Sequence, residues 1–277
     1  MKHFVRLTDI SLPAMREIFA VADSIDRYHN ALDGKSVVLF FPDSSIRTRV
    51  TFEKGIALLG GQPILFHPDA LDKKEATRDV IGYLGNWADC LIIRHQRLAL
   101  LDEIAAHSRV PLINAMTSEN HPCEVLSDLY ALSKRRQDFL ALHYTFVGSG
   151  GNIGMAWLEA ARAFHLNFRQ CCPKGYEMDG ATIVHELDDA MRGSDVIITD
   201  SLPPTAVGDF SPYQITPDAL SRANEGALLN PCPPFYRGEE VSSEAIDSAH
   251  FVGYDFKKAL LPIQQALMIF VQGDAKR

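Results

Sequence analysis

Short apolar runs alternate with amphipathic stretches along most of this chain. The runs suit strands that are buried on both faces of a parallel sheet. In the first half of the chain they occupy residues 36–41, 63–66, 91–93 and 110–113. Helical patterns separate them, and this β-α-β-α order predicts a parallel sheet covered by helices.

The second half of the chain repeats the alternation after a helical pattern at about 121–136. Its strand candidates lie at 143–147, 167–171, 196–199, 227–229 and 251–253. The whole pattern predicts an α/β protein with two doubly wound parallel-sheet domains, residues 1–137 and 138–277, and a ligand-binding cleft between them. The periodicity of the last helix, at about 257–271, does not assign it to a domain, and a return to the first domain is one alternative.

Charge and cysteine content exclude several classes of protein. The 277 residues include 27 Lys and Arg against 35 Asp and Glu, a net charge of −8, whereas nucleic-acid binders usually carry a basic excess. No apolar run approaches the roughly 18 residues of a membrane span, and no secretory signal is visible at the start. The five cysteines are odd in number and form no C-x-x-C motif. We therefore expect a reduced, cytoplasmic protein.

Hydroxyl and guanidinium groups cluster where the first strand passes into a helix. Backbone amides at a helix N-terminus favour an anion, and Ser45, Arg47 and Thr48 add donors suited to phosphate. A purely structural interpretation is also open, in which Ser45 caps the helix and the arginines are solvated.

The same segment, Ser45-Ile46-Arg47-Thr48-Arg49 with Phe52-Glu53, resembles the S-T-R-T-R-x-x-F-E signature of the aspartate/ornithine carbamoyltransferases. Other resemblances follow in the family's order: Lys73-Lys74-Glu75 with Asp79, Arg94-His95, Asn114 with His121-Pro122-Cys123-Glu124, Gly148-Ser149-Gly150-Gly151-Asn152, Thr199-Asp200, and Asn230-Pro231-Cys232-Pro233 followed by Arg237-Gly238-Glu239-Glu240-Val241. The last run is similar to the ornithine branch. The resemblance therefore covers nearly the whole chain.

This resemblance implies a carbamoyltransferase that needs no metal or cofactor. Its first domain would bind carbamoyl phosphate and its second a small amino acid. The resemblance also implies a homotrimer with shared sites, in which a lysine loop reaches the neighbouring site. Lys73 and Lys74 are both candidates for that lysine, and an exposed loop without this role is the alternative.

The resemblance further assigns roles in the carbamoyl phosphate site. Ser45, Arg47 and Thr48, with amides around Ile46, would hold the phosphate. The carbonyl oxygen would meet the catalytic groups, which are Arg94, His121 and Thr48. A histidine at the start of a helix suits a neutral hydrogen-bond donor, whereas metal binding by His121 would lack a ligand cluster.

Glu124 stands where the family has glutamine. Its carboxylate would accept a hydrogen bond from the carbamoyl NH2, as the glutamine carbonyl would, and so belongs to the expected carbamoyl phosphate site. Unlike glutamine it brings a negative charge toward the phosphate. In the alternative interpretation, Glu124 points outward as an ordinary first-turn helix residue.

The amino-acid site is expected at Asn152, Asp200 and Cys232. By the resemblance, Asn152 and Asp200 match positions that the ornithine branch uses for its amino acid. The aspartate branch instead has arginines near these places, and residues 148–153 contain none. The resemblance therefore favours ornithine. Three departures leave another amine, or a non-catalytic binding protein, as alternatives. The D-x-W-x-S-M-G loop is altered after Asp200, the H-C-L-P motif has its cysteine displaced, and Leu260 aligns with an expected arginine.

The glycine-rich segment at 148–154 also permits a different enzyme class. It follows a strand and opens a helix, as in dinucleotide-binding dehydrogenases. The next strand candidate, 167–171, ends without the acidic residue that binds the ribose. A dehydrogenase is therefore the weaker enzyme hypothesis.

Overall fold

The computed structural model describes residues 2–273. The strands are β1 (Ser36–Phe40), β2 (Gln62–Phe66), β3 (Cys90–Arg94), β4 (Leu112–Met116), β5 (His143–Val147), β6 (Asn167–Cys171), β7 (Thr182–Val184), β8 (Val196–Thr199) and β9 (Leu228–Pro231). The helices are α1 (Leu12–Asp23), α2 (Ile46–Leu58), α3 (Thr77–Leu84), α4 (Leu98–His107), α5 (Pro122–Arg135), α6 (Asn152–Phe164), α7 (Leu187–Met191), α8 (Val207–Phe210), α9 (Pro217–Leu220), α10 (Ser243–Ile246), α11 (Gly253–Lys257) and α12 (Leu260–Gln272).

The chain forms two compact units. The first takes the described residues up to Tyr130 together with those from Ala259 onward, and the second is Ala131–Lys258. Within residues 2–273, no helix has both the length and the apolar character that a membrane span requires.

The first unit has a four-stranded parallel sheet in the order β2-β1-β3-β4. The chain moves from β1 to β2 on one side and to β3 on the other, so the loops after β1 and β3 diverge where the strand order reverses. Parallel sheets bind ligands at such positions. Phe4 extends the sheet past β4, because its N–H donates to Leu112 O and its O accepts from Asn114 N, both at 2.8 Å.

Apolar strand residues explain the core of this unit. One face of the sheet, with Val38, Phe40, Leu91 and Ile93, packs together with Ile81 of α3 and Leu101 of α4. The last helix, α12, packs on α1 and α2. A Cβ on Gly55 of α2 would lie 3.1 Å from Gln265 Cγ, so the glycine permits the close approach of these two helices.

The second unit has a five-stranded parallel sheet in the order β7-β6-β5-β8-β9. Its strand order reverses between β5 and β8. One apolar cluster includes Val147, Ile197 and Leu229 from three strands, with Met191 of α7 and Leu220 of α9. Its core is built by the same rule as in the first unit, since apolar residues from neighbouring strands meet the inner faces of helices.

The predicted fold class is confirmed, since both units are α/β with wholly parallel sheets. One prediction of an individual element is wrong. Residues 251–253 form no strand, because Phe251 makes only an isolated bridge to Leu229 and Gly253 already begins α11. The helix predicted at about 257–271 corresponds to α12, which begins three residues later, at Leu260. Strand β7 was not predicted, and none of its three residues is buried.

Candidate active site

Ser45 connects the loop after β1 to the end of β3. It precedes α2 and is only 2% exposed, yet its side chain makes no capping bond to the helix. Instead, its Oγ accepts a hydrogen bond from Arg94 Nη1 at 2.9 Å. The structure therefore brings together two predicted site residues that are far apart in sequence, and the Ser45 side chain is not a helix cap.

Arg47 and Arg94 lie near enough to each other for their positive charges to repel. Burial, and then repulsion by Arg47, lowers the pKa of the Arg94 guanidinium. Within residues 2–273, neither Arg47 nor Arg94 forms an ion pair with a carboxylate, whereas Arg49 Nε binds Glu53 Oε1 at 2.7 Å. Two uncompensated cations beside a helix N-terminus favour a multiply charged anion.

The first turn of α2 adds hydrogen-bonding groups. Thr48 is buried in this turn, whereas the side chain of Ile46 is exposed. The Ile46 N–H already donates to Ser44 O at 3.0 Å. By their position in the first turn, the amides of Arg47 and Thr48 are the ones directed toward an anion at the helix end.

A buried network shapes the turn before His121. Asn114 Nδ2 donates to Asn120 Oδ1 at 2.7 Å and to Val5 O at 2.9 Å, and Thr117 Oγ1 donates to Asn120 Oδ1 at 3.0 Å. These bonds join the end of β4, the following turn and the segment near the N-terminus. They hold the backbone immediately before His121.

His121 and Glu124 are both buried at the start of α5. The outward orientation that was the alternative for Glu124 is therefore not observed. Cys123 Sγ lies 3.2 Å from Asn114 O, where the thiol donates a hydrogen bond, and burial raises the pKa of this thiol. No group of His, Cys, Asp and Glu among residues 2–273 has a metal-binding arrangement.

A cleft of about 510 Å³ opens beside Arg94. Its walls include Ser44, Arg94, His95, Arg97 and Asp72. Sequence reasoning noted His95 only as part of a motif and missed both Asp72 and Arg97. No local signal singles out an exposed aspartate that is distant in sequence from its partners.

Lys73 and Lys74 lie in the loop that precedes α3 and are exposed. They do not line the cleft, but they directly follow its wall residue Asp72. The structure thus places the lysines next to the wall of this cleft in the chain, but not on it.

The predicted amino-acid residues lie at the carboxyl ends of strands in the second unit. Asn152 begins α6, which follows β5, and Asp200 follows β8, so the two flank the reversal of strand order. A Cβ on Gly151 would lie 3.5 Å from Asp200 Oδ2, which puts this carboxylate beside the start of α6. Cys232 follows β9, and its N–H donates to Thr199 O at 2.9 Å. A carboxylate in this position can orient an ammonium group.

Packing accounts for glycines of the segment 148–154. A Cβ on Gly150 would lie 2.8 Å from Met178 Cγ, and one on Gly154 would lie 2.7 Å from Phe146 Cε1. These glycines make room for the protein's own side chains. The feature that suggested a dinucleotide site therefore has a structural explanation.

Comparison with known proteins supports one family along the whole chain. Residues 2–134 match the family described as "Aspartate/ornithine carbamoyltransferase, carbamoyl-P binding domain", and residues 141–271 match "Aspartate/ornithine carbamoyltransferase, Asp/Orn binding domain". The ornithine carbamoyltransferase of Chromobacterium violaceum is 30% identical, over 98% of this chain and 97% of that protein. That of Nitrosococcus oceani is 31% identical, over 96% of each chain.

Solved structures of ornithine carbamoyltransferases are similar to this chain over nearly its whole length. The ornithine carbamoyltransferase of Burkholderia thailandensis has a TM-score of 0.93 and 28% identity, with complete coverage of both chains. That of Pyrococcus furiosus has a TM-score of 0.92 and 25% identity, over 98% of this chain and 97% of the other. These matches show that the chain is a carbamoyltransferase and belongs to the aspartate/ornithine carbamoyltransferase family.

Proposed function

We propose that the protein transfers the carbamoyl group of carbamoyl phosphate to the side-chain amine of ornithine, forming citrulline and phosphate. The observation that carries this proposal is the contact of Ser45 with Arg94, beside Arg47 at the start of α2. This arrangement supplies positive charge and hydroxyl donors. Because no carboxylate among residues 2–273 pairs with Arg47 or Arg94, their charge is available to a phosphate dianion.

In this proposal the first unit binds carbamoyl phosphate. Ser45, Arg47 and Thr48 hold the phosphate, and Lys73 or Lys74 of a neighbouring copy adds a further cation. Arg94, His121 and Thr48 donate to the carbonyl oxygen, which becomes an oxyanion when the amine attacks the carbonyl carbon. The carbon–nitrogen bond forms, the carbon–oxygen bond to phosphate breaks, and the attacking nitrogen loses a proton. Positioning and charge stabilisation supply the catalysis.

The second unit binds the amino acid through Asn152, Asp200 and Cys232. The Asp200 carboxylate binds the side-chain ammonium group of the amino acid before that group loses its proton. The names of the relatives support ornithine. One observation favours a different amine as the second candidate: Leu260, aligned with an expected arginine, is buried and apolar at the start of α12.

A ureido-product assay tests the reaction. Purified protein with carbamoyl phosphate is offered ornithine, acetylornithine, aspartate, putrescine or lysine. We expect carbamoyl-phosphate-dependent product with the highest kcat/KM for ornithine. A higher kcat/KM for putrescine or acetylornithine would establish the second candidate, and no product with any amine would contradict the proposed reaction.

The proposed working assembly is a homotrimer in a reducing compartment, the cytoplasm. Exposed apolar side chains lie on several elements of the first unit: Ile46 and Val50 on α2, Phe66 on the edge strand β2, Tyr83 on α3 and Trp87 after it. Large apolar side chains exposed to this degree are common at protein–protein contacts, and a second copy of this chain is the proposed partner. The five free cysteines support the reducing compartment.

Trp87→Glu is expected to dissociate this assembly. Its side chain is 70% exposed, so the change costs little in the isolated chain but places a charge in an apolar contact. Light scattering should show a trimer for the wild type and smaller species for the variant. Tyr254→Glu is the control, because Tyr254 is also 70% exposed but belongs to the second unit. A monomeric wild type with full activity would exclude the trimer.

A further inference from the structure

His95 follows Arg94 and is held inside the first unit. It is 7% exposed, and its Nδ1 accepts a hydrogen bond from Arg97 N at 3.1 Å. A ring nitrogen that accepts carries no proton, so the neutral ring has its proton on Nε2. That nitrogen lies 3.1 Å from Asp72 Oδ2 and donates to it.

Asp72 uses both carboxylate oxygens. Oδ2 accepts from His95, and Oδ1 accepts from Arg97 Nη2 at 2.8 Å. The bond from His95, and then that from Arg97, lowers the pKa of the Asp72 carboxyl, so it is ionised at neutral pH. The buried side chain of Leu71 packs in the core immediately before it.

Directly after Asp72, the side chains no longer have hydrogen-bond partners within the described part of the chain. Residues 73–76 are exposed and precede α3. Among residues 2–273, the side chains of Lys73, Lys74 and Glu75 have no hydrogen bond or ion pair. Asp72 is therefore the last side chain fixed to the sheet before the lysine loop, which is defined here as residues 73–76.

We infer that Asp72 is a positioning residue that joins the lysine loop to the end of the strand carrying Arg94. Through His95 and Arg97 it limits the positions that Lys73 and Lys74 can take. This reduces the conformational freedom that is lost when a lysine contacts carbamoyl phosphate. The inference rests on the proposed function for the ligand, whereas the attachment of the loop is independent of it.

Limited trypsin digestion tests the attachment directly, because trypsin cleaves after Lys73 and Lys74. Cleavage is followed by mass spectrometry in the ligand-free protein. Asp72→Ala removes both acceptors and should raise the cleavage rate at these two bonds about tenfold. Asp72→Asn keeps one acceptor and should give an intermediate rate. Asp69→Ala is the control, because Asp69 lies on the wall of the same cleft but contacts His67 and not the end of β3.

Carbamoyl phosphate kinetics and calorimetry test the consequence for the ligand. Asp72→Ala should raise KM and Kd for carbamoyl phosphate about tenfold and leave kcat within about twofold, with partial recovery in Asp72→Asn. A merely structural role would instead lower the amount of folded protein without changing KM. Equal cleavage rates in wild type and Asp72→Ala would overturn the attachment. Faster cleavage with unchanged KM and Kd would overturn the positioning role.

The two proposals can fail separately. If the wild type neither binds carbamoyl phosphate nor forms a ureido product, the proposed function fails, and with it the assigned ligand. The trypsin result would still confirm or refute the attachment of the lysine loop through Asp72.

Discussion

Arg47→Ala is expected to lower the affinity for carbamoyl phosphate at least about tenfold, because a charge-assisted contact to phosphate contributes roughly 1.5–3 kcal/mol. Arg47 is exposed at the start of α2, and no carboxylate among residues 2–273 pairs with it. Its replacement should therefore leave the free energy of unfolding within about 0.5 kcal/mol of the wild type. Calorimetric titration with carbamoyl phosphate measures the affinity, and thermal unfolding checks the fold.

Arg49→Ala is the matched control. Arg49 lies on the same helix, two residues further, but its guanidinium binds Glu53. We expect the affinity of Arg49→Ala for carbamoyl phosphate to stay within about twofold of the wild type, since the Arg49 guanidinium is already paired with Glu53. Equal affinities of Arg47→Ala and the wild type would remove the phosphate from this end of α2.

Glu124→Gln is expected to increase the affinity for carbamoyl phosphate about tenfold. Glutamine keeps an acceptor for the carbamoyl NH2 and removes a negative charge. Two unit charges about 6 Å apart at an effective dielectric constant near 20 repel by roughly 3 kcal/mol. Arg47 and Arg94 offset part of this repulsion. The burial of Glu124 at the start of α5 is consistent with a role inside the unit rather than on its surface.

Calorimetry on the variant measures this gain. Glu119→Gln is the control for a general change of net charge, because Glu119 is exposed and its Oε1 accepts from Leu98 N at 3.1 Å. An unchanged Kd in Glu124→Gln would show that the carboxylate lies away from the ligand. Equal gains in both variants would indicate a long-range effect of net charge instead.

Much of the fold was predictable because the buried strands of a parallel sheet are apolar on both faces. The strands predicted at 36–41 and 91–93 correspond to β1 and β3 for this reason. Strand β7 escaped prediction because it is a short edge strand whose residues are only partly buried or exposed. Phe251 was misassigned because one apolar pair resembles a strand, although only a single bridge forms there.

The individual residues of the candidate site were predictable from the sequence, but their contacts in the folded chain were not. Local motifs pointed to Ser45 and Arg94 separately, at the ends of two strands. Their hydrogen bond depends on the order β2-β1-β3-β4, which places β1 beside β3 across an intervening stretch of chain. The contact of Asp72 with His95 depends on the same order, and neither residue carries a motif that identifies the other.

The helix α12 is separated by about 200 residues of sequence from the helices on which it packs. It packs on α1 and α2, and Gly55 allows its close approach. During synthesis the first sheet leaves the ribosome long before this helix does, so the apolar faces of α1 and α2 stay uncovered while the second unit is being made. The first unit therefore completes its core only after the second unit has been made, and until then the apolar faces of α1 and α2 are open to aggregation and to chaperones.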